Sequence, residues 1–273
     1  MLSNIEIYHY LWFFIIYAVI GWGVEVIYAV VTTGQFVNRG FLNGPLCPIY
    51  GFGVITILLC LTPVADNLLL LFIGSVLLTS LLEGVTGFVL EKAFQSKWWD
   101  YSDKPFNIGG YICLSFSLMW GLGCIFVIKQ IHPLVMQFVF WIPPILGMLI
   151  LIIALLLLIA DFIVTVRSVM GLNKHLDQLE KVAEGLNYLS NEMGESISKN
   201  TLAIMEKNEE IKSKFEEKRP EIEALLEKQH ELLSEKKFAY RRLIRAFPTR
   251  RSNRFSKSLE WIKEEVGNRK NKL

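Results

Sequence analysis

Between Ile145 and Ala160 the chain carries no charged or polar side chain, and four more apolar stretches precede this run. A helix that is apolar on every side needs either protein or lipid on every side. Five such stretches within the first 170 residues leave lipid as the solvent. A bilayer core takes roughly 20 residues of helix, with a range of about 17 to 25. The expected spans are therefore about Leu11 to Val31, Ile49 to Val64, Leu68 to Leu90, Ile108 to Ile128 and Trp141 to Val166. The first has no Lys/Arg-rich lead and no small-residue cleavage site, so it reads as a retained span rather than a signal peptide. The fold class is all-α: a polytopic membrane helix bundle of about five spans, followed by a helical cytoplasmic C-terminal domain.

Charge divides the chain in the same way. Residues 1–166 hold 5 Lys+Arg and 8 Asp+Glu, whereas residues 167–273 hold 23 and 18. The expected domains are 1–170 in the membrane and 171–273 in water. Orientation follows from the Lys/Arg of the short flanks, which favour the cytoplasmic side. The N-terminal flank and the Ala65-Asp66-Asn67 turn carry none, and the loop after the fourth span carries Lys129 alone. The alternate flanks carry Arg39; then Lys92, Lys97 and Lys104; then the basic C-terminal region. An N-terminus outside and a C-terminus in the cytoplasm are expected, in a plasma membrane. Trp98, Trp99 and Tyr101 then read as aromatics of the inner interface.

Both loops on that face are unusual. The first, Asn38 to Pro48, is too rich in Gly and Pro for a helix and too apolar for a solvated loop. Irregular backbone at a membrane must be buried in protein or line a wet cavity. The second runs Trp98 to Asn107. Three carboxylates, Glu25, Glu83 and Asp161, sit inside spans, each about 7 to 11 Å from the cytoplasmic helix end at a rise of about 1.5 Å per residue. A carboxylate facing lipid costs several kcal/mol, so each is expected to face the bundle or a cavity. Ser75, Thr79, Glu83 and Gly87 form one stripe of the third span, and Tyr17, Gly21, Glu25 and Tyr28 nearly one of the first. The candidate substrate-binding residues are Glu25, Arg39, Asn43, Glu83, Asp100 and Asn107. Pairing of Glu25 and Glu83 with Arg39 for helix packing alone is the other reading of the carboxylates. Cys47, Cys60, Cys113 and Cys124 have no zinc-ligand spacing, so no metal and no cofactor is expected.

Beyond Met170 the pattern is amphipathic. Leu179, Val182, Leu186, Leu189 and Met193 form a short coiled-coil-like seam. Pro220 reads as the opening of a second helix, and Phe255, Leu259, Ile262 and Val266 as one face of a third, stopped at Gly267. Between Lys236 and Lys257 lie nine Lys/Arg and no acid, interleaved with Phe238, Tyr240, Leu243, Ile244 and Phe247. This stretch, 236–257, is expected to lie against anionic lipid headgroups. Nucleic acid is not expected as a partner of a membrane-tethered tail.

The run Val37-Asn38-Arg39-Gly40-Phe41-Leu42-Asn43-Gly44-Pro45, leading to Cys47-Pro48-Ile49-Tyr50-Gly51-Phe52-Gly53, resembles the bacterial ABC-transporter type IV, or CmpB-like, permease family. Glu83, Glu91-Lys92, Trp98-Trp99-Asp100-Tyr101-Ser102, Phe106-Asn107 and Ile112-Cys113-Leu114 resemble its second block. The resemblance covers roughly residues 10 to 130. The family often has Arg just before Ile-Cys-Leu, where this chain has Tyr111. The resemblance implies a transport-related permease subunit of mainly Gram-positive bacteria. The chain contains no GxxxxGK[ST] phosphate loop, so the resemblance implies a separate ATPase subunit.

Three function classes follow. The first is a permease subunit with a polar site facing the cytoplasm, alone or as a homo-oligomer. The second is a scaffold or sensor that recruits partners through its helical tail. The third is a membrane enzyme acting on a lipid-linked substrate through paired carboxylates. No HExxH or nucleophile elbow supports the enzyme, and His9 and His132 fall on the opposite face, so a non-enzyme is expected.

Overall fold

The structure, a computed structural model, describes residues 4–200, 208–234, 238–247, 250–252 and 255–268. Among these residues the helices are α1 (Asn4–Thr33), α2 (Pro48–Leu61), α3 (Leu68–Phe94), α4 (Leu114–Phe126), α5 (His132–Trp141), α6 (Pro144–Asn200), α7 (Asn208–Ser234), α8 (Phe238–Ala246) and α9 (Ser256–Asn268). Two short antiparallel strands, β1 (Asn107–Ile108) and β2 (Ile112–Cys113), make a hairpin before α4. The chain is an all-α helical membrane bundle with this one strand pair.

The helices are turned inside out relative to those of a water-soluble protein. On α3, Leu77 and Leu81 are each 64% exposed, while Ser75 is fully buried. Ser80 Oγ donates to Ser117 Oγ of α4 at 2.7 Å, and Gly121 of α4 lies against Phe72 and Val76. Large apolar side chains outward and small or polar ones at the contacts are what lipid rewards, since Leu gains nothing by leaving it. Gly51 of α2 packs on Phe14 of α1, where a Cβ would come within 2.7 Å of its carbonyl oxygen. Trp12, Phe13, Phe14 and Tyr17 of α1 form the apolar core with Leu58, Val135, Val139 and Leu151.

Four helical stretches are long and apolar enough to cross a membrane: Glu6–Thr33, Leu68–Phe94, Leu114–Trp141 and Pro144–Glu192. The second expected span is shorter, Pro48–Val64, and ends in a 3-10 turn at Thr62–Val64. The expected fourth span differs most. Residues 108–113 are hairpin instead of helix, with positive φ at Gly109 and Gly110. The helix then continues past Lys129 through a π-helical turn at Val127–Ile131. That turn absorbs an extra residue without breaking the helix, and Pro133, which follows it directly, is the residue whose missing N–H and ring disturb a regular ladder at this point. Lys129 therefore lies in a helix, paired with Asp66 at 3.3 Å.

Packing divides the chain into two compact units, Met1–Val169 with Arg242–Arg251, and Met170–Arg241 with Ser252–Leu273. In the second unit Leu172, Leu176, Leu179, Val182 and Leu189 are buried along α6, and Leu186 is half-buried. The side chain of Met193 lies outside the described residues. Ser258 of α9 donates through its hydroxyl and its amide to Glu180 Oε2, at 2.6 and 3.1 Å. Pro220 does not open a helix; it sits within α7, which starts earlier, at Asn208. An interior proline forfeits one backbone hydrogen bond, and the charged residues around it keep the helix in solvent. Of the basic stretch 236–257, Lys236, Lys237, Pro248 and Arg254 lie outside the described residues.

Candidate functional site

Two irregular loops shape the site, and the first is held almost entirely by side chains. Asp161 of α6 is its anchor. Asp161 Oδ1 accepts from the Asn43 amide (3.1 Å) and Asn43 Nδ2 (2.9 Å), and Oδ2 accepts from the Gly44 amide (2.7 Å). Thr165 hydroxyl approaches the same Oδ1 at 3.3 Å. Asn38 Oδ1 accepts from the Gly40 amide and from Trp22 Nε1, both at 3.0 Å, and its Nδ2 donates to the Asn43 carbonyl. The Cys47 amide donates to the Ala18 carbonyl of α1 at 2.9 Å. Non-helical backbone in a lipid-facing protein needs such partners, because none come from the solvent.

The second loop is braced from within. Asn107 Nδ2 donates to the Ser102 and Lys104 carbonyls, and its Oδ1 accepts from the Gly110 amide. Asp100 accepts from the Ser102 amide and hydroxyl, at 3.0 and 2.5 Å, and its side chain is only 6% exposed. Partial burial pushes its carboxyl up, but the two Ser102 bonds, with Lys97 and Arg251, outweigh that and hold it below the usual aspartate range. Trp98 does not sit at an interface as an anchor: it is buried at 2% exposure, against Phe41, Phe94 and Phe247. Trp99 Nε1 donates to the Tyr111 carbonyl, and the Tyr111 hydroxyl to Glu91 at 2.6 Å. The loops meet where Phe41 packs edge-on to Trp98, with centroids 5.3 Å apart.

Between these loops and the helices lies a polar cluster. Glu25 Oε2 pairs with Arg39 Nε at 3.1 Å, and Oε1 accepts from the Tyr50 hydroxyl at 2.8 Å. The Arg39 guanidinium also lies 5.1 Å from the Tyr28 ring centre. Glu83 Oε1 accepts from the Tyr101 hydroxyl at 3.2 Å, and Tyr101 stacks on Phe116. Glu83 Oε2 is buried and has no hydrogen-bond partner among the described residues. The Glu25–Arg39–Tyr50 group and the Glu83–Tyr101 pair lie within electrostatic reach of one another. Burial, then the Glu83 charge, pushes the Tyr101 hydroxyl well up, which keeps it a donor. Burial, reinforced by Glu25, raises the neighbouring Cys47 thiol to about 12.

Of the six candidate residues, the structure gathers Glu25, Arg39 and Glu83. It places Asn43, Asp100 and Asn107 elsewhere: Asn43 bonds to Asp161 and Thr165 of α6, Asp100 to Ser102 and Arg251, and Asn107 to the Ser102 and Lys104 carbonyls. Arg39 pairs with Glu25 and makes no ion pair with Glu83 among the described residues. Tyr50 was legible only as part of a motif, and Tyr101 only as an aromatic near the membrane. No group of three or more His, Cys, Asp or Glu among the described residues is arranged to hold a metal ion.

The family model described as Putative ABC-transporter type IV matches residues 12–166. The chain belongs to this family. The match takes in α1 to α5, both loops, the polar cluster and the Asp161 anchor, and ends before the helical unit. No curated protein and no solved structure matches the chain.

Three cations of the basic stretch are engaged within the first unit. Arg242 Nη1 donates to the Gly40 and Leu42 carbonyls and Nη2 to the Phe41 carbonyl, each at 3.0 Å. Arg250, 1% exposed, lies over the Trp98 ring at 4.8 Å and donates to Ser96 Oγ at 3.1 Å. Its burial lowers the guanidinium to about 10. Arg251 pairs with Asp100 at 3.0 Å and Asp103 at 3.4 Å, and its backbone exchanges both hydrogen bonds with Lys97.

Proposed function

We propose that this chain is the membrane subunit of a transport system, with the Glu25–Arg39–Tyr50–Glu83–Tyr101 cluster as its substrate or proton site, open to the cytoplasm. The observation that carries this reading is Glu83 Oε2, a buried carboxylate oxygen with no donor among the described residues and within electrostatic reach of Glu25. A buried acceptor left unpaired costs about 1–3 kcal/mol. A proton on Glu83, or a ligand that brings a donor, removes that cost. Glu25 already has Arg39 and Tyr50, so Glu83 is the member left for a ligand. Intramembrane carboxylates facing the bundle mark ion and substrate paths in general.

The rest of the reading follows the charge bias and the family. The N-terminus lies outside and the C-terminus inside, with the short Pro48–Val64 helix as a fifth, thinner span. The ATPase is a separate subunit. Exposed Arg245 and Lys257 are the described cations left for anionic lipid. Affinity purification from native membranes in mild detergent tests the assignment. An ATPase should co-purify in fixed stoichiometry, and its ATP hydrolysis should respond to Glu83→Gln. Recovery without an ATPase, with a regulatory protein held by residues 171–241, would favour the scaffold reading instead.

A further inference from the structure

The contacts of Arg242, Phe247, Arg250 and Arg251 have a common consequence. Arg242 grips the first loop alone, closing three consecutive carbonyls with one guanidinium. Phe247, Arg250 and Arg251 grip the second loop and the residues just before it, through Trp98, Ser96, Lys97, Asp100 and Asp103. Each loop delivers one side chain to the polar cluster: Arg39 to Glu25 from the first, Tyr101 to Glu83 from the second. We propose that the described residues 242–247 and 250–251 form an intrachain strap that ties the two loops into one lid and so positions both halves of the polar cluster.

Charge-assisted hydrogen bonds from a planar guanidinium are the strong kind, and Arg cannot be exchanged for Lys where three carbonyls converge. The Gly40–Leu42 turn is thus a guanidinium receptor whose occupant is built into the chain. The proposal builds on the cluster being the functional site, but its test needs no substrate.

The thiols provide the readout. Cys47 in the first loop and Cys113 in strand β2 of the hairpin, which the second loop joins through the Tyr101 amide and the Gly110 carbonyl, are both buried, while Cys124 lies within a candidate span. Maleimide labelling of the full-length protein in detergent, resolved by mass spectrometry, gives a rate for each thiol. Arg251→Glu touches only the second loop, and Arg242→Ala only the first. A strap requires cross-effects: Arg251→Glu should speed Cys47 about tenfold, and Arg242→Ala should speed Cys113 comparably, the scale set by losing charged hydrogen bonds that restrain local opening. Cys124 should keep its rate. Methylguanidinium should slow Cys47 and Cys113 again in Arg242→Ala and have no effect in Arg251→Glu. Each variant exposing only its own loop's thiol, or no thiol, would overturn the strap. So would Cys124 accelerating with the others in both variants, which would mean general loosening. Arg251 has a 59% exposed side chain, so its replacement opens no cavity, and an unchanged Cys124 rate reports that the fold is kept. Loss of transport in Glu83→Gln bears on the site and leaves these labelling rates unchanged.

Discussion

Glu83→Gln is expected to abolish function, by about a hundredfold or more if Glu83 moves a proton, while the protein inserts and accumulates normally. Gln preserves shape and still accepts the Tyr101 hydroxyl, but it cannot take up and release a proton or bind a cation as a charge. Glu25→Gln acts differently. It strands Arg39, and with side chains 25–29% exposed the pair is worth at most about 1 kcal/mol. Glu25→Gln combined with Arg39→Gln should therefore recover most of what either single change loses, whereas no change at Arg39 should rescue Glu83→Gln. Activity and accumulation of the three single variants and the two double variants, measured side by side, decide the matter. Full activity in Glu83→Gln would leave the carboxylates as packing residues.

Asp161→Ala should produce the largest loss of stability in the membrane unit, about 3–5 kcal/mol. It leaves the Asn43 and Gly44 amides without an acceptor and the Asn43 side chain with only Thr165, and each unpaired buried donor costs about 1–3 kcal/mol. A melting point lowered by roughly 10 °C in detergent is the corresponding scale. Asp161→Asn should lose nearly as much, because its amide nitrogen must face a backbone N–H that also donates. Thr165→Val should be mild, about 1 kcal/mol, as it removes only the hydroxyl bonded to Asn43. Thermal melts of the purified variants check the ranking. An Asp161→Asn protein as stable as the parent would contradict the anchoring role.

The apolar runs made the helical membrane bundle legible, and the shared depth of Glu25, Glu83 and Asp161 singled out three side chains that do form specific contacts. Their separate roles were not legible. Asp161 lies more than a hundred residues from Asn43, and nothing in a single sequence marks that pairing. The boundary at Lys129 misled because a charge in an apolar run reads as a loop, whereas a π-helical turn carries it through the helix to Trp141. Pro220 misled in the opposite sense, looking like a start while sitting mid-helix. The return of Arg242, Arg250 and Arg251 to the first unit was hidden inside a uniformly basic run. In such a run, a guanidinium that caps carbonyls looks the same as one that faces water or lipid.

The central claim is that both loops serve one site on one face of the membrane, the cytoplasmic one. The 27 residues of α3 separate Asp66 from the second loop by about 40 Å along the helix. Labelling with a membrane-impermeant thiol reagent therefore tests the claim directly, using Phe36→Cys between α1 and the first loop, Asp103→Cys in the second and Asp66→Cys at the far end. Each is read against the parent chain, whose own loop thiols are buried. The account predicts that Asp66→Cys reacts in intact cells, while Phe36→Cys and Asp103→Cys react only after permeabilisation. Reaction of either loop position from outside would contradict it.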